Sequence, residues 1–375
     1  AKMAKKRRLR RLACFRASEK GRLGSRGMLV VGTWNTRGLG APKSGDPEGK
    51  VRALFTLMKE RGWNCGLLSD LLPEDGVCEV VVAGLQWLVV HYGKVGVALD
   101  PWLAARWRAG GSTVVQAKGW RDGVRAFGLK IPGKGWKPGV LLIPVYAPLA
   151  RRTSVAQREG FREALSQLVD KLRGHSKLIV GGDFNGEVGA KKDARWRHVM
   201  GPFEDSRRTR AGEELLHFCA QEGLVVANTF RNQAHKGTWF HNRWGSEHAL
   251  DHFLVRAADR RWVKSVRTLH FGPDGGPAHA GRQGRPGKFS SAPWLVRTDH
   301  DPVELLIRLG KDWTLEQERR REQAPRPDVL RFLGSSREAA ALRQDYASKV
   351  QAELGSYTGV SLNWDVLADA MKTVA

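Results

Sequence analysis

Cysteine is scarce in this 375-residue chain: Cys14, Cys65, Cys78 and Cys219 are scattered, and no two stand as CxxC. Neither a thiolate zinc site nor a disulfide framework is indicated, and the pattern suits a reducing compartment. His175, His217, His235, His241 and His248 also lack zinc-ligand spacing, so no zinc is expected. No apolar run approaches the ~18 residues of a membrane span. The opening AKMAKKRRLRRLACFR has none of the apolar stretch that a secretory signal needs. No Gly-x-x-x-x-Gly-Lys-Ser/Thr run offers a nucleotide cradle, and no internal repeat is visible. Acid is the other shortage: 38 Asp and Glu stand against 63 Lys and Arg, a formal net charge of +25.

A surface that basic attracts polyanions over long range and releases counterions when it meets phosphates. Nucleic acid is therefore the expected partner, ahead of an anionic membrane. Eleven of the cations stand in residues 1–28, with Glu19 the single acid there. Such a run repels itself. Charge alone reads it as a nuclear address, a phosphate-binding arm or a solvated tail, and an Arg-rich, acid-poor start also has the composition of a transit peptide. The first residue is Ala rather than Met, which reads as a processed or excised piece.

From Met28 the texture changes, and the 41% of hydrophobic residues supply a core. MLVVGTWN reads as a strand and VRALFTLMKERG as an amphipathic helix ended by Gly62. CGLLSDLL, CEVVVAGL, QWLVVHY, KVGVALD, RAFGLKI, GVLLIPVYAP and KLIVGGDFN follow as strands. SVAQREGFREALSQLVDKLRG has helical period, opens at Ser154 and runs from early acid to late base, as the helix dipole favours. Next come GEELLHFCAQEG as a helix, LVVANTF, GTWFH, ALDHFLV and VKSVRTLHF as strands, the turn RTDHDP and the strand VELLIRL. Residues 40–49 and 272–293, rich in Gly and Pro, read as loops. Strands without strict βαβ alternation favour an α/β sandwich over a doubly wound sheet. Beyond residue 310 the pattern is helical: SSREAAALRQDYASKVQAELG is capped and stopped, while SLNWDVLADAMKTVA has no terminator and reads as cut partway through something longer. The expected organisation is a basic arm at 1–28, one domain at 29–310 and a helical segment at 311–375.

Chemistry concentrates at strand ends. In Gly181-Gly182-Asp183-Phe184-Asn185 the two glycines are read as letting the backbone turn, so that Asp183 and Asn185 project together; an Asp there can take a proton from water while the amide orients it. The same five residues also suit a plain Asx turn. In Thr298-Asp299-His300-Asp301-Pro302 the adjacent acid and imidazole face opposite ways and need separate partners, unless they mark only a surface turn. Asn35, Tyr146 and Asp251 sit within or at the ends of apolar strands, where a polar group is costly without a partner. Together these carboxylates, amides, phenol and imidazole suit a hydrolase using a hard cation. Arg37, two residues after Asn35, is a candidate phosphate ligand. Most of the fourteen tryptophans are expected in the core or as loop anchors, but Trp239 can face substrate.

The order TWNTRGL, LLSD, PVYAP, GGDFN, TW…ALDHFLV, TDHDPV, over roughly residues 29–310, resembles the endonuclease/exonuclease/phosphatase superfamily, the deoxyribonuclease-I-like enzymes. The stretch from Arg208 to Val255 looks especially like the apurinic-type endonuclease domain of non-LTR retrotransposons. The resemblance implies a four-layered α/β sandwich of two mixed sheets flanked by helices, and a metal-dependent endonuclease that nicks DNA to leave a 3′-hydroxyl end. It implies Mg2+, with Mn2+ as a substitute, near Asn35 and Asp299. Asp183 would activate water, Asn185 would orient it, His300 held by Asp251 would donate to the phosphate, and Tyr146 would touch the same phosphate. A nuclear location and fusion to a C-terminal reverse transcriptase follow from the retroelement branch.

One position departs from that pattern. The family's metal-binding Glu at the end of this strand is replaced by Asp70, which keeps the charge but is one methylene shorter. The ligand is then Asp70 itself, or Glu74 or Glu79 downstream, or the site is crippled. Two other readings therefore stay open. One is a different phosphodiesterase of the superfamily, acting on abasic sites, RNA, lipid or nucleotide; the basicity opposes lipid. The other is a weakened relative that only binds nucleic acid.

Overall fold

The computed structural model describes residues 27–39, 47–71, 75–82, 84–117, 125–133, 139–171, 177–189, 193–203, 207–231, 233, 237–241, 246–269, 299–309, 344–345, 347–349 and 351–352. Most of the basic arm, the loop at 272–293, Thr298 and the last predicted helix lie outside them. The chain divides into two compact units, 1–314 and 315–375. In the second, the described residues are helical and exposed, with Lys349 paired to Asp345 one turn back at 2.8 Å.

The first unit holds two mixed sheets. One has the order β14 (Val263–Thr268), β15 (Val303–Arg308), β1 (Met28–Leu39), β2 (Cys65–Leu71), β5 (Val95–Leu99), β4 (Leu85–Tyr92), β3 (Gly76–Val82). The other runs β10 (Leu224–Val226), β13 (Asp251–Arg256), β9 (Lys177–Asp183), β8 (Val140–Tyr146), β7 (Phe127–Ile131), β6 (Val114–Gln116). β1 with β2 and β8 with β9 are parallel, and the remaining pairs are antiparallel. A short hairpin, β11 (Trp239–Phe240) with β12 (Glu247–His248), stands apart from both.

Alternation along the strands builds the sandwich. Leu29 and Val31 of β1, Leu67 of β2, Leu142 of β8, Ile179 of β9 and Phe253 and Val255 of β13 share one buried core between the sheets. The alternate residues face outward onto helices. Val30, Leu68 and Trp87 meet Leu54, Phe55 and Met58 of α1 (Pro47–Arg61). Leu141, Val180 and Leu254 meet Phe161, Leu165 and Leu168 of α3 (Val155–Lys171) and Leu215 and Phe218 of α4 (Arg210–Glu222). The result is helix, sheet, sheet, helix, the four layers expected.

Caps fix the helix ends. Ser154 and Gln157 exchange hydrogen bonds at the start of α3, each side chain on the other's backbone N–H, a capping box. Thr209 accepts from the Gly212 N–H to open α4, and Gly223, at φ +65°, closes it. A helix the sequence pattern does not announce, α2 (Pro101–Ala109), plugs the inter-sheet core with Leu103, Ala104 and Trp107. Asp100 caps it, accepting from the Leu103 N–H at 2.7 Å, with Pro101 in its first turn.

Three local expectations need correction. The loop read over 40–49 gives way at Pro47, where α1 already begins. LVVANTF is a strand only to Val226; Ala227–Phe230 form a 3-10 turn, because the Asn228 carboxamide leaves the ladder to accept from Phe253 N and donate to Asp251 O. Gly181 and Gly182 do not turn the chain. Both lie inside β9, where a Cβ on Gly181 would sit 2.7 Å from the Phe253 ring and one on Gly182 would sit 1.9 Å from the Val145 carbonyl oxygen. Glycine is needed there for close approach, not for a turn.

Candidate active site

The inward alternation that makes the core turns polar at one end of the sandwich. Past Leu29 and Val31, β1 reaches Asn35; past Ile179 and Gly181, β9 reaches Asp183; past Leu142 and Pro144, β8 reaches Tyr146. β13 runs the other way and opens at Asp251. Register puts Tyr146 and Asp251 on either side of Asp183, so three neighbouring strands carry functional groups on one row.

Hydrogen bonds tie the row across both sheets. Asn35 Nδ2 donates to Asp183 Oδ2 at 2.9 Å, and the Asn185 N–H donates to Asp183 Oδ1 at 2.8 Å. Asn185 Nδ2 donates to the Ala147 carbonyl at 2.8 Å, which fixes its side chain beside Asp183. His300 Nδ1 lies 2.8 Å from Asp251 Oδ2, and its Nε2 lies 3.9 Å from Asp183 Oδ2. Asp299 faces elsewhere: its Oδ2 accepts from Trp239 Nε1 at 3.1 Å and lies 3.8 Å from the Arg37 guanidinium. The neighbours 299 and 300 thus take separate partners. Arg37 keeps 56% of its side chain exposed, enough to meet a ligand from solvent.

Backbone strain gathers here. Arg37, Asp70 and Asn185 have φ of 49°, 55° and 49°, three of the four non-glycine residues with positive φ among those described. Side chains rarely adopt that conformation, and it persists where surrounding structure holds it.

The titrating groups are displaced together. Burial raises the Asp183 carboxyl to about 7, with the Asp251 carboxylate adding to the effect and His300 opposing it. Burial works against the His300 imidazolium, but Asp251, by charge and hydrogen bond, then Asp183 and Asp299, hold it up at about 9. Burial, then the charges of Asp70 and Asp183, push the Tyr146 phenol above its ordinary range, so it stays protonated. Asp70 is thus near enough for its charge to act on Tyr146.

One grouping among the described residues brings possible ligand atoms together. Atoms of Asp183, Asp251 and His300 lie within 4.8 Å of one another. In that set, however, His300 is committed to Asp251 and held protonated, and an imidazolium offers no lone pair to a metal. Asp70, Asp299 and Asn35, the set that the resemblance implies, carry the hard oxygen donors that Mg2+ and Mn2+ take. Of the substitutes considered for Asp70, Glu74 lies outside the described residues. Glu79 is exposed on β3, bonded to Arg108 and Gln86, and so is a surface ion pair rather than a ligand.

Several supporting residues carry no signal in the sequence. Trp34 Nε1 donates to the His300 carbonyl at 2.9 Å. Thr238 Oγ1 accepts from the N–H groups of Leu250 and Asp251 at 3.0 Å each, and its carbonyl accepts from Asp301 N at 2.7 Å. A bridge between Trp239 and His300 joins the β11–β12 hairpin to the turn. Arg125 and Lys94 stand 5.3 and 5.8 Å from the centre of the Tyr146 ring. All these contacts are long-range, and only the Thr-Trp pair is visible as a motif.

A two-sheet α/β sandwich with acids, amides and an imidazole at one end of its strands defines the class. The chain carries the fold of the endonuclease/exonuclease/phosphatase superfamily. The AP endonuclease LMAP from Leishmania major superposes with a TM-score of 0.50 at 14% identity, covering 75% of this chain and 88% of that one. The endonuclease domain of TRAS1, a telomere-specific non-LTR retrotransposon, is also similar, with a TM-score of 0.43 and 15% identity over 75% of this chain and 99% of that one. In sequence, 157 residues are 27% identical to craniofacial development protein 2 of Tragulus javanicus, which is 41% of this chain and 26% of that one. The match to the Bos taurus protein of the same name spans 25% of its length, so the chain covers about a quarter of these relatives. No family model matches.

Proposed function

We propose that this chain is a divalent-metal-dependent phosphodiesterase that nicks the backbone of duplex DNA and leaves a 3′-hydroxyl end. One observation carries the reading: Asp183, oriented by Asn35 and Asn185, and His300, oriented by Asp251, converge 3.9 Å apart at the same end of the sandwich. That pairing sets a proton acceptor beside a cationic donor, which in-line attack of water on a phosphodiester requires.

Asp183, when ionised, accepts the proton of the attacking water, and Asn185 beside it orients that water. His300, its Nδ1 engaged by Asp251, turns its Nε2–H to a non-bridging phosphate oxygen. The Tyr146 phenol donates to the same phosphate, and Arg37 meets a neighbouring one. Asp70, Asp299 and Asn35 would hold a divalent cation, which when bound would neutralise charge at the phosphate. Target-site cleavage for a retroelement is the biological setting that the run from Arg208 to Val255 favours, with a reverse transcriptase following in the longer protein.

The test is nicking of supercoiled plasmid with Mg2+, with and without chelator, beside a panel of abasic duplex and single-stranded RNA. Plain duplex should be nicked, and only with metal. Cutting confined to the abasic duplex or to RNA would move the assignment to another phosphodiesterase of the fold. Binding without cutting on any substrate would reduce the chain to a nucleic-acid-binding relative.

A further inference from the structure

The catalytic end uses few of the chain's cations. A second basic feature lies where the edge strand of each sheet comes to the same side of the sandwich, β10 of one and β14 of the other. There Ala227, Phe230, Arg231, Arg260, Arg261 and Val263 line an open hollow of ≈ 310 Å³. Three of the six are arginines, and none is acidic. Groups other than acids hold each guanidinium: Arg231 donates to the Val263 carbonyl at 2.7 Å, Arg260 lies 4.8 Å over the Phe230 ring, and Arg261 lies 5.2 Å over Trp262. The nearby acid Asp259 is bonded to Lys177 at 2.9 Å instead. Fixing three long side chains costs rotamer entropy, and here no salt bridge among the described residues offsets it. What results is positive charge around a hollow lined by the Phe230 ring, with a second ring, Trp262, beneath Arg261, the chemistry that takes a phosphodiester strand.

The hollow is separate from the catalytic row. Val263 pairs with Ile307, seven residues along from His300, or roughly 20 Å at ~3.3 Å per residue. We infer that this arginine hollow is a second, non-catalytic site for the nucleic-acid backbone, which grips the phosphates of a strand whose cut occurs at the far end of the sandwich. The inference rests on nucleic acid as substrate, but does not need the chain to cut.

The experiment compares wild type with Arg260→Gln/Arg261→Gln, both exposed, and with Arg231→Gln added, since Arg231 also braces Val263. Binding of labelled duplex is measured by anisotropy in chelator, so that nothing is cut. On a duplex of about 30 base pairs the variants should bind about tenfold more weakly, and log K against log salt should flatten by ~0.9 for each phosphate no longer neutralised. Lysine at 260 and 261 should restore the salt slope and only part of the affinity, because the planar fork is lost. Unchanged affinity and slope on the long duplex in the exposed double variant would overturn the inference. So would loss of binding to inorganic phosphate, a fluorescent nucleotide or phosphatidylserine vesicles while long-duplex binding stays intact, because the hollow would then serve a different anion. Failure of the plasmid assay with the salt-slope effect present would sink the nuclease reading and leave this site standing.

Discussion

Asp183 and Asp251 are register partners across β9 and β13, and His300 stands against both, 2.8 Å from Asp251 and 3.9 Å from Asp183. Two buried carboxylates side by side cannot both ionise cheaply, and one shared cation resolves the conflict. Asp251, with one oxygen given to His300 and Oδ1 buried without a hydrogen-bond partner, serves as the anchor. Asp183 is left as the acid whose proton can move.

Division of labour follows from that arrangement. Asp183→Asn and His300→Ala should each lower the nicking rate at least ~10²-fold, the scale of a lost base or transition-state donor. Duplex binding should barely change, because other cations hold the phosphates. Asp251→Asn separates anchoring from catalysis. Without that carboxylate the imidazolium loses its main support, and the alkaline limb of the rate profile should move down from about 9. A limb that stays in place would show that Asp251 does not set the state of His300.

Stability should fall with rising pH in the metal-free protein. His300 titrates at about 9 when folded against an ordinary value of 6.5, so its contribution is complete below about 6.5 and is lost as pH rises through 9. Asp183 has the same sign: raised from 3.8 to about 7, the folded protein keeps a proton that the unfolded chain releases. Melting temperatures in chelator should therefore decline between about pH 4 and 9. His300→Gln should flatten the upper part. A cation lowers the Asp183 value, so raising Mg2+ should shift the acidic limb of activity to lower pH; a limb indifferent to Mg2+ would place the ion elsewhere.

Gly182→Ala tests close approach between strands. Its Cβ would meet the backbone of Val145, which cannot rotate away, so β8 and β9 would have to part. A loss of more than ~3 kcal/mol, the range of severe overpacking, is expected in denaturant titration. A cost under ~1 kcal/mol would show that the two strands can separate more easily than their register suggests.

Local signals are readable where the cause is local. Period-two alternation announces most strands, and polar residues breaking it at Asn35, Tyr146, Asp183 and Asp251 mark the row that gathers at one end. The α2 helix is hidden because Asp100 continues the strand pattern of KVGVALD, although Asp-Pro before an apolar run is a helix start and Gly110-Gly111 a stop. The role of Gly181 and Gly182 is obscured because their neighbours, Phe253 and Val145, are distant in sequence. The same holds for Thr238, whose hydrogen bonds reach His248, Leu250, Asp251 and Asp301. Pairing between distant strands decides such positions, and no window of neighbouring residues contains it.

Asp70 is where sequence and structure explain one another. At φ 55° its backbone is left-handed, a conformation that Asp tolerates better than Glu because its short polar side chain can bond locally. The shorter acid therefore suits the strained backbone near the end of β2. Asp70→Gly should relieve the strain and raise stability by about 1 kcal/mol while nicking collapses, a gain in fold at the expense of function. Asp70→Ala should lose activity too, recovering in part at high Mg2+ and better with Mn2+, which tolerates imperfect geometry. Asp70→Glu restores the family's side chain on a backbone that resists it. Stability should fall by several tenths of a kcal/mol, and the Mg2+ needed for half-maximal rate should rise. Wild-type Mg2+ dependence in both Asp70→Ala and Asp70→Glu would remove Asp70 from the metal site. The cation would then have to be held by Asp299 and Asn35 with the buried carboxylates of the Asp183 row, which titrating Mn2+ into Asp183→Asn and Asp70→Ala side by side would decide.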